Sequence, residues 1–573
     1  MDDILDVAII GAGISGINTA YRVSQASPSY RYTIFEGRSQ IGGTWSFFKY
    51  PGLRSDSDLF SFGFEWNPWE SDKVIAGAPQ IMEYLHRSIM SFGGSERLRM
   101  GHKLVGLDWS TKDQLWTLKF KVRSGAGQGG EKDGDNEDDK DDSYREIKQL
   151  ARWVVLGTGY YDYEKALPAI IPGLDSFEGQ IIHPQFWPTS SSGEELDLAG
   201  KRVAIIGSGA TAITILPVIA QKTSSVTLVQ RSPTFLASVP SRDTSADLLK
   251  RYLPTSWANR LLRIKYLLVS YLFFTFCQTF PKAARKLLYK GARKQLPPDI
   301  GVEPHFAPRY DPWDQRLCAC PDGDFFTALR EGKASIVTGH IERVTGSSIL
   351  MQGQSTESPK SNSNSLSDLD VIITATGLKI LIGGGAPVSI DGTRIDLPSK
   401  TLWKGCMISD VPNLIAVIGY TNASWTLGAD VAAKTLTRLM SQLDEQGQKS
   451  ATPVVPLEDN NGVTMNRVSF MKMQSTYLTK GRGDMPSAGD KYPWLPRGNY
   501  FSDMWDATYG NVMQDIVSLV ARSESWVDFE AEYTICLGLC RNVPDKMAKR
   551  ATLRKITDSA SRCSKSLLVS RLL

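Results

Sequence analysis

The stretch DVAIIGAGISGINTAYRV, residues 6–23, decides the fold class of this chain. Its apolar start predicts a buried strand, its glycines a tight turn, and its second half a helix. Gly11 and Gly13 let a backbone turn sharply and approach a pyrophosphate, while Gly16 lets the helix pack closely on the strand. The phosphates would lie at the helix N-terminus, beside Ser15. The pattern predicts a dinucleotide-binding unit rather than a chain that merely turns at its glycines.

The residues after this unit indicate which nucleotide it binds. The next predicted strand, RYTIFE at 31–36, ends on Glu36, whose carboxylate can accept hydrogen bonds from both hydroxyls of an adenosine ribose. The same negative charge would repel a 2′-phosphate. The first site is therefore predicted to bind FAD or NAD and not NADP.

The order of strand, glycine turn and helix returns in KRVAIIGSGATAITILPVIA, residues 201–220, with an alanine in place of the third glycine. The second strand of this unit ends on a basic residue, Arg231, rather than on an acid. A guanidinium can bind a 2′-phosphate through two parallel hydrogen bonds, which favours NADPH. Arg231 could instead be an ordinary surface charge. The candidate phosphate-binding residues are Gly207, Ser208, Gly209 and Thr211.

Composition limits the class of protein. The 573 residues are 42% hydrophobic and 22% charged, which is typical of a soluble globular protein of several domains. The formal net charge of +4 gives no basic stripe for nucleic acid. The acidic start MDD is unlike a secretory signal, and the seven cysteines include no CxxC pair. We therefore expect a cytoplasmic protein without a disulfide framework or a metal site.

Three segments interrupt the nucleotide-binding pattern. Residues 125–146 are rich in acids and 353–368 in serine, and we expect both to be solvated loops without chemistry, the first joining two strands of a small antiparallel sheet. The apolar run YLLVSYLFFTF at 266–276 falls short of the about twenty residues that span a bilayer. It is either a buried helix or an interfacial helix that contacts a lipophilic substrate or a membrane.

A polar, glycine-rich loop, GGTWSFFKYPGLRSDSD at 42–58, follows the strand that ends on Glu36. In a protein with two dinucleotides this place faces the reactive end of the first cofactor. Turn residues alone would explain its Pro-Gly pair but not an arginine and an aspartate two positions apart, Arg54 and Asp56. The further residues that we expect to contact the first cofactor are Gly43, Thr44, Trp45 and, farther along, Leu104.

Arg316 lies in WDQRLC, residues 313–318, where the chain returns from a predicted helical segment to the second nucleotide unit. From this position its side chain could project between the two units. An arginine alone is more commonly a salt-bridge partner than a catalytic group.

The linker FEGQIIHPQFWP, residues 177–188, identifies a family when it is combined with the two glycine motifs. The combination resembles the class B flavin-dependent monooxygenases, and the linker fits the pattern of type I Baeyer–Villiger monooxygenases at every specified position. Those positions are Phe177, Gly179, His183 and Trp187. Segments 42–69, 226–235, 305–318, 370–378 and 419–427 are most similar to the ethionamide-activating subgroup of that family.

The resemblance implies an enzyme that binds FAD and NADPH and uses O2 to convert a ketone to an ester or lactone through a C4a-peroxyflavin. Arg316 would be the catalytic cation that stabilises the negative charge, and Asp56 its partner. The linker would couple the two nucleotide domains as NADPH docks. The aromatic and lipophilic segments suggest a bulky lipophilic ketone from a biosynthetic route as substrate.

The resemblance also implies an α/β fold of two Rossmann-like dinucleotide-binding domains with a helical insertion. The FAD-binding domain would comprise residues 1–165 and 369–510, and the NADPH-binding domain residues 166–235 and 313–368. The insertion would occupy 236–312, and residues 511–573 would form a C-terminal extension. The oligomeric state stays open.

Three other functions remain open. A flavin monooxygenase that oxidises sulfur or nitrogen shares the architecture and differs in its product. A flavoprotein reductase would need a redox-active CxxxxC pair after the first nucleotide unit, which this sequence lacks. A flavin-binding protein without catalysis would have no need of Arg316 and Asp56.

Overall fold

Two sheets, each with a glycine turn after one of its parallel strands, organise the protein. The computed structural model describes residues 4–518 apart from 124–143, 190–195, 353–364, 459–461, 472 and 474, and residues 1–519 form one unit. The serine-rich loop and the acidic insertion fall largely outside the described residues, and so does the extension beyond 518. The helices are α1 (Ile14–Ala26), α2 (Thr44–Phe47), α3 (Leu59–Phe62), α4 (Ala78–Ser91), α5 (Ala210–Ile219), α6 (Thr244–Tyr252), α7 (Thr255–Thr279), α8 (Pro281–Arg293), α9 (Asp324–Arg330), α10 (Trp425–Glu445), α11 (Thr476–Lys480) and α12 (Tyr500–Tyr509).

The strands of the first half of the chain are β1 (Ile4–Ile10), β2 (Tyr32–Phe35), β3 (Leu98–Arg99), β4 (His102–Ser110), β5 (Leu115–Arg123), β6 (Tyr144–Leu156), β7 (Gln180–Ile182), β8 (Arg202–Ile206), β9 (Ser225–Gln230) and β10 (Leu236–Val239). Those of the second half are β11 (Cys318–Pro321), β12 (Ala334–Thr338), β13 (Ile341–Thr345), β14 (Ser348–Met351), β15 (Ser365–Leu366), β16 (Val371–Thr374), β17 (Val388–Ile390), β18 (Thr393–Arg394), β19 (Leu402–Trp403), β20 (Met407–Ile408), β21 (Leu414–Ala416), β22 (Thr452–Pro453), β23 (Arg467–Val468), β24 (Ala488–Gly489) and β25 (Ile516–Val517).

The first sheet has a parallel core of β3, β2, β1, β6 and β21. The antiparallel strands β4 and β5 continue it beyond β6. The small antiparallel sheet that the sequence suggested is therefore not separate. The reason is the length of β6, which spans 13 residues and pairs with β5 on one side and with β1 on the other.

The faces of the central strands alternate between two cores. Ile9, Trp153 and Val155 face one core, together with apolar residues of α1 and α10. Ala8, Ile10 and Val154 face the other, together with Trp116 and Phe120 of β5. A strand whose residues are buried on both faces reads as a continuous apolar run, which explains the pattern of β1.

The second sheet is parallel throughout, in the order β12-β9-β8-β16-β7. The predicted boundary between residues 368 and 369 is wrong, because β16 pairs with β8 and so belongs to the second sheet. An apolar run such as VIIT is compatible with a buried parallel strand in either sheet, so the sequence alone does not assign it to one of them. The linker contributes β7 to the edge of this sheet.

Both glycine motifs form the predicted strand–turn–helix, which confirms the fold class. Gly11 and Gly207 adopt φ values of +100° and +131°, which an L side chain rarely adopts. A Cβ added to Gly16 would lie 1.8 Å from the carbonyl oxygen of Gly11. Gly16 therefore allows α1 to approach the turn closely, as predicted.

The helical insertion consists of α6, α7 and α8, and α7 extends well beyond the apolar run 266–276 on which the prediction was based. The interpretation of that run as a buried helix is wrong, because only 11% of the most apolar window of α7 is buried. By length and composition α7 could cross a membrane. Its buried residues are Ala258, Asn259, Leu262 and Cys277.

Replacing Gly16 with alanine tests the close approach in the first turn. Gly16→Ala should lower the free energy of unfolding by about 1–3 kcal/mol, because the added methyl group overlaps the Gly11 carbonyl. Gly209→Ala is the matched control, since a Cβ at Gly209 meets no atom within 4 Å. Thermal unfolding should show a lower midpoint for the first variant alone. Equal midpoints for the two variants would contradict the packing role of Gly16.

Candidate functional site

A cavity of about 270 Å³, here called the first cavity, opens beside the turns that follow β1 and β6. The structure brings most of the predicted first-site residues to its wall: Gly13, Ser15, Gly43, Thr44, Trp45, Arg54 and Asp56. Gly13 and Gly43 approach so closely that a Cβ on Gly13 would lie 3.4 Å from the Gly43 Cα. The wall here is bare backbone, which suits the close passage of a pyrophosphate.

Glu36 lies just after β2 and is 7% exposed. Its carboxylate accepts hydrogen bonds from the backbone N–H of Ala12 at 2.8 Å and of Arg38 at 3.0 Å. It is thus held against the glycine turn, at the end where the adenosine is expected. Leu104 does not line the first cavity. It is buried in β4 opposite Phe120.

Arg54 lines the first cavity and carries a buried donor atom. One nitrogen of its guanidinium pairs with Asp324 at the start of α9. The other terminal nitrogen, Nη2, is buried without a hydrogen-bond partner among the described residues. A buried, unpaired charged donor costs free energy unless a ligand accepts from it. The unpaired donor and the glycine wall fit a flavin dinucleotide.

Aromatic residues that the sequence analysis gave no role complete the wall of the first cavity. Tyr160 stacks on Trp425 with ring centroids 4.9 Å apart, and the Trp425 indole N–H donates to the Ser15 hydroxyl at 2.9 Å. The Tyr163 and Thr44 hydroxyls are hydrogen-bonded at 3.2 Å. Tyr160 could have been found from its position just after the buried strand β6, where ligand-binding residues of parallel sheets collect.

Tyr50 is a further residue that the sequence analysis did not single out. It lines the first cavity, and burial raises the pKa of its hydroxyl. The neutral phenol interacts with the side chain of Thr211, which lines both this cavity and the next one. Tyr50 therefore connects the polar loop of the first sheet with α5 of the second.

The second cavity, about 540 Å³ in volume, lies beside the turns that follow β8, β9 and β16. All five predicted second-site residues line it: Gly207, Ser208, Gly209, Thr211 and Arg231. Arg231 is exposed and forms no ion pair with any described residue. Its unpaired cation and the open backbone at Gly209 fit a nucleotide with a 2′-phosphate.

Arg316 and Asp56 line both cavities and so mark their junction. The two side chains form a bidentate ion pair, with Nη2–Oδ1 at 2.8 Å and Nε–Oδ2 at 2.7 Å. About a third of each side chain is exposed, 33% for Arg316 and 37% for Asp56. Trp313, three residues earlier, has a φ of +74°, a strained value for a bulky residue. Arg316 thus extends from a constrained turn.

The linker residues pack mainly against the second sheet. Phe177 and Trp187 are buried in its two hydrophobic clusters. A Cβ on Gly179 would lie 2.4 Å from the Asp370 carbonyl oxygen, so a larger residue would not fit. Burial lowers the pKa of His183, which lies against the backbone of Gly377 in the second cavity. The linker is therefore fixed to the sheet whose turns line the second cavity.

The fold and the two cavities that meet at this ion pair fit a protein that binds two nucleotides. In the described part of the chain, no cluster of three or more His, Cys, Asp or Glu side chains is placed to hold a metal ion.

Comparison with known proteins gives the family. Residues 9–70 match the family model of the NAD(P)-binding Rossmann-like domain. The chain is 38% identical over 517 residues to the FAD-containing monooxygenase EthA of Mycolicibacterium smegmatis, covering 90% of this chain and 97% of that protein. It is 38% identical over 504 residues to the probable FAD-binding monooxygenase AlmA of Acinetobacter baylyi, covering 88% of this chain and 93% of that protein.

Solved structures share the fold. A steroid monooxygenase bound to NADP matches with a TM-score of 0.65 at 19% identity, covering 90% of this chain and 99% of that one. A polycyclic ketone monooxygenase from Thermothelomyces thermophila matches with a TM-score of 0.64 at 18% identity, covering 91% of each chain. The chain belongs to the FAD-containing monooxygenases of the EthA type. It is an NADPH-dependent flavoprotein that oxidises an organic substrate with O2.

The role of Arg231 can be tested by comparing the two nicotinamide cofactors. Arg231→Ala should raise the KM for NADPH about tenfold or more, because a charge-assisted hydrogen bond contributes about 1.5–3 kcal/mol, and should leave the KM for NADH nearly unchanged. Steady-state cofactor oxidation measures both values. Arg202→Ala is the control, since Arg202 lies at the opposite end of β8 and pairs with Asp368. An equal effect of Arg231→Ala on both cofactors would refute its contact with the phosphate.

Proposed function

We propose that this enzyme is a Baeyer–Villiger monooxygenase that converts a ketone to an ester or lactone. The net reaction consumes a ketone, NADPH, H⁺ and O2 and yields the ester, NADP⁺ and water. The observation that carries the proposal is the ion pair of Arg316 and Asp56, which lies where the two cavities meet. The resemblance of the linker and of the flanking motifs to the Baeyer–Villiger family supports it.

FAD, when bound, supplies a ring that NADPH reduces and that then activates O2. The protein supplies the fixed charge. Insertion of an oxygen atom beside a carbonyl group passes through species that carry negative charge on oxygen. A cation held in place beforehand stabilises such charge without reorganising during the reaction. Arg316 is the candidate for this role, since its guanidinium reaches both cavities from a constrained turn.

Asp56 positions that cation. Two parallel hydrogen bonds fix the plane of the guanidinium as well as its location. The carboxylate also offsets part of the positive charge of Arg316 at the junction of the cavities. In this assignment Arg316 is the catalytic residue and Asp56 the positioning residue.

The wall of the first cavity favours a lipophilic substrate. Its apolar side chains include Phe62, Leu378, Met471 and Met473. Unbranched methionines adapt to ligands of different shape. Because apolar surface buried on binding contributes about 25 cal/mol per Å², the part of this wall that a bound flavin leaves uncovered favours a hydrocarbon skeleton. We therefore assign a bulky lipophilic ketone as the substrate.

The cysteines argue against a disulfide reductase. Cys318 and Cys320 lie two positions apart in β11 and are fully or almost fully buried. Burial raises the pKa of Cys318 to about 12 and that of Cys320 well above its ordinary value. Thiols of this kind are protonated at neutral pH and react poorly with disulfides. The described residues therefore favour oxygen transfer over thiol chemistry.

Removing the guanidinium tests the proposed mechanism. Arg316→Ala should lower ester formation by about 10²–10³-fold, the usual effect of losing one charge-stabilising donor. NADPH oxidation should continue, with hydrogen peroxide in place of the ester. Gas chromatography of the products and a peroxide assay measure the two outcomes. Arg309→Ala, an exposed arginine of the same segment that lines neither cavity, should behave as wild type. Undiminished ester formation by Arg316→Ala would remove this residue from the mechanism.

The type of oxygen transfer is tested by offering the wild-type enzyme a lipophilic ketone and a thioether of similar size. We expect an ester or lactone from the ketone, identified by mass spectrometry with one oxygen atom from ¹⁸O2. A sulfoxide as the sole product would instead identify a heteroatom-oxidising flavin monooxygenase.

A further inference from the structure

Exposed apolar side chains concentrate on the helical insertion. On α7, five of them follow one another at spacings of four, three, four and four residues, so they form one stripe along the helix. The stripe is about 22 Å long at 1.5 Å per residue. Its members are Trp257 (59% exposed), Leu261 (41%), Ile264 (51%), Leu268 (44%) and Leu272 (61%). This set is here called the α7 stripe.

A second stripe adjoins the first. On α12, Phe501, Trp505 and Tyr509 follow one another at intervals of four residues and are 40%, 69% and 68% exposed. The ring of Phe501 contacts that of Tyr271 in α7, with centroids 5.4 Å apart. The two helices therefore present one continuous face that is rich in aromatic rings. Tyrosine and tryptophan favour the boundary between hydrocarbon and water.

Within the insertion, the segment between Asp247 and Asp299 carries charge of a single sign. Between Asp247 and Asp299 the chain contains eleven lysines and arginines and neither aspartate nor glutamate. Since the whole chain has a formal net charge of +4, the remainder of the protein is net acidic. The concentration of positive charge is thus a local property of α6–α8.

These cations lie beside the apolar stripe. Arg260 comes three residues after Trp257 and four before Ile264, which places it on the same face of α7. On α8, Leu287 is 54% exposed and shares its face with Lys290 and Lys294. Several exposed cations form no ion pair with any described residue: Arg260, Lys282, Lys286, Lys290, Arg293 and Lys294.

We propose that the α7 stripe, with the exposed faces of α8 and α12, docks on a membrane that contains anionic phospholipids. An exposed apolar stripe rimmed by unpaired cations and interfacial aromatic rings is the pattern of a helix that lies in a lipid surface. Each basic residue near such a surface adds attraction. The acids of α12 do not oppose it, since Asp503 accepts a hydrogen bond from Tyr420 and Asp506 pairs with Lys404.

The docked helix lies on the membrane and does not cross it. Arg263 donates to the backbone carbonyls of Phe60 and Gly63, and Tyr266 stacks on the Phe60 ring at 4.9 Å. Insertion across a bilayer would break these contacts and move Arg260, Arg263 and Lys265 through hydrocarbon. Docking through the exposed stripe leaves all of them in place.

The C-terminal part of α7 reaches the segment that carries Arg316. Phe274 contacts the Trp313 ring at 5.6 Å, and the Gln278 amide donates to the Pro312 carbonyl at 3.4 Å. A ketone dissolved in the membrane would therefore meet the enzyme on the helix that adjoins the junction of the cavities. This last step rests on the proposed function, whereas the docking itself does not.

Sedimentation of the full-length holoenzyme with lipid vesicles tests the docking. The protein should bind vesicles of equimolar phosphatidylcholine and phosphatidylserine, and should bind vesicles of pure phosphatidylcholine at least about tenfold more weakly. The charge variant Lys286→Glu/Lys290→Glu/Arg293→Glu and the stripe variant Leu268→Ser/Leu272→Ser should each lose about tenfold or more in vesicle affinity. The control Met90→Ser/Leu457→Ser removes apolar side chains outside the insertion that are more exposed than Leu268 and Leu272, and it should bind as wild type.

Flavin absorbance and NADPH oxidation without vesicles show that each variant is folded. Ester formation from a soluble ketone, also measured without vesicles, registers a failure of the proposed reaction separately from a failure of docking. The docking is overturned if wild-type protein leaves the mixed vesicles unbound, binds both lipid compositions equally, or binds as tightly after the stripe substitutions. It is also overturned if light scattering shows a dimer that the stripe variant converts to monomer without any vesicle binding, because the face would then join two copies of the chain.

Discussion

The missing side chain at Gly16 is the constraint on which the rest of the architecture depends. A Cβ there would occupy the space of the Gly11 carbonyl, so only glycine lets α1 sit against the first turn. That contact aims the N-terminus of α1 at the first cavity and brings Ser15 within hydrogen-bonding distance of Trp425. Trp425 begins α10, which packs with α1 over one face of the central sheet. One close approach thus aligns the turn, two helices and the aromatic wall.

The junction of the cavities depends on contacts from both sheets. Asp56 comes from the loop that follows α2, and Arg316 from the segment that precedes β11. Neither residue would locate a site by itself, because exposed ion pairs are common and contribute little to stability. Their bidentate geometry and the positive φ of Trp313 distinguish this pair from a surface contact. The strain at Trp313 persists because the turn is held by its neighbours, among them Phe274 of α7.

The predictions that the structure confirms rest on local sequence patterns. Those that it contradicts depend on how distant parts of the chain pack together. Glycine spacing fixes the two turns, and the residue at the end of each second strand, Glu36 or Arg231, lies beside its turn for purely local reasons. The strand at 371–374 was assigned to the wrong sheet, because an apolar run fits either one. The exposure of α7 depends on how few other elements pack against it, and the composition of the helix does not predict that. Tyr160 and Trp425 are distant in sequence and meet only in the folded chain.

The two halves of the Arg54 guanidinium face different parts of the enzyme. One terminal nitrogen is paired with Asp324 at the start of α9, which packs with the second sheet, and the other is buried without a partner among the described residues; Arg54 as a whole lines the first cavity. Any rotation of the second sheet must either break the ion pair between Arg54 and Asp324 or move the polar loop with it. A ligand that contacts Arg54 in the first cavity therefore acts on the side chain that joins the polar loop to the second sheet.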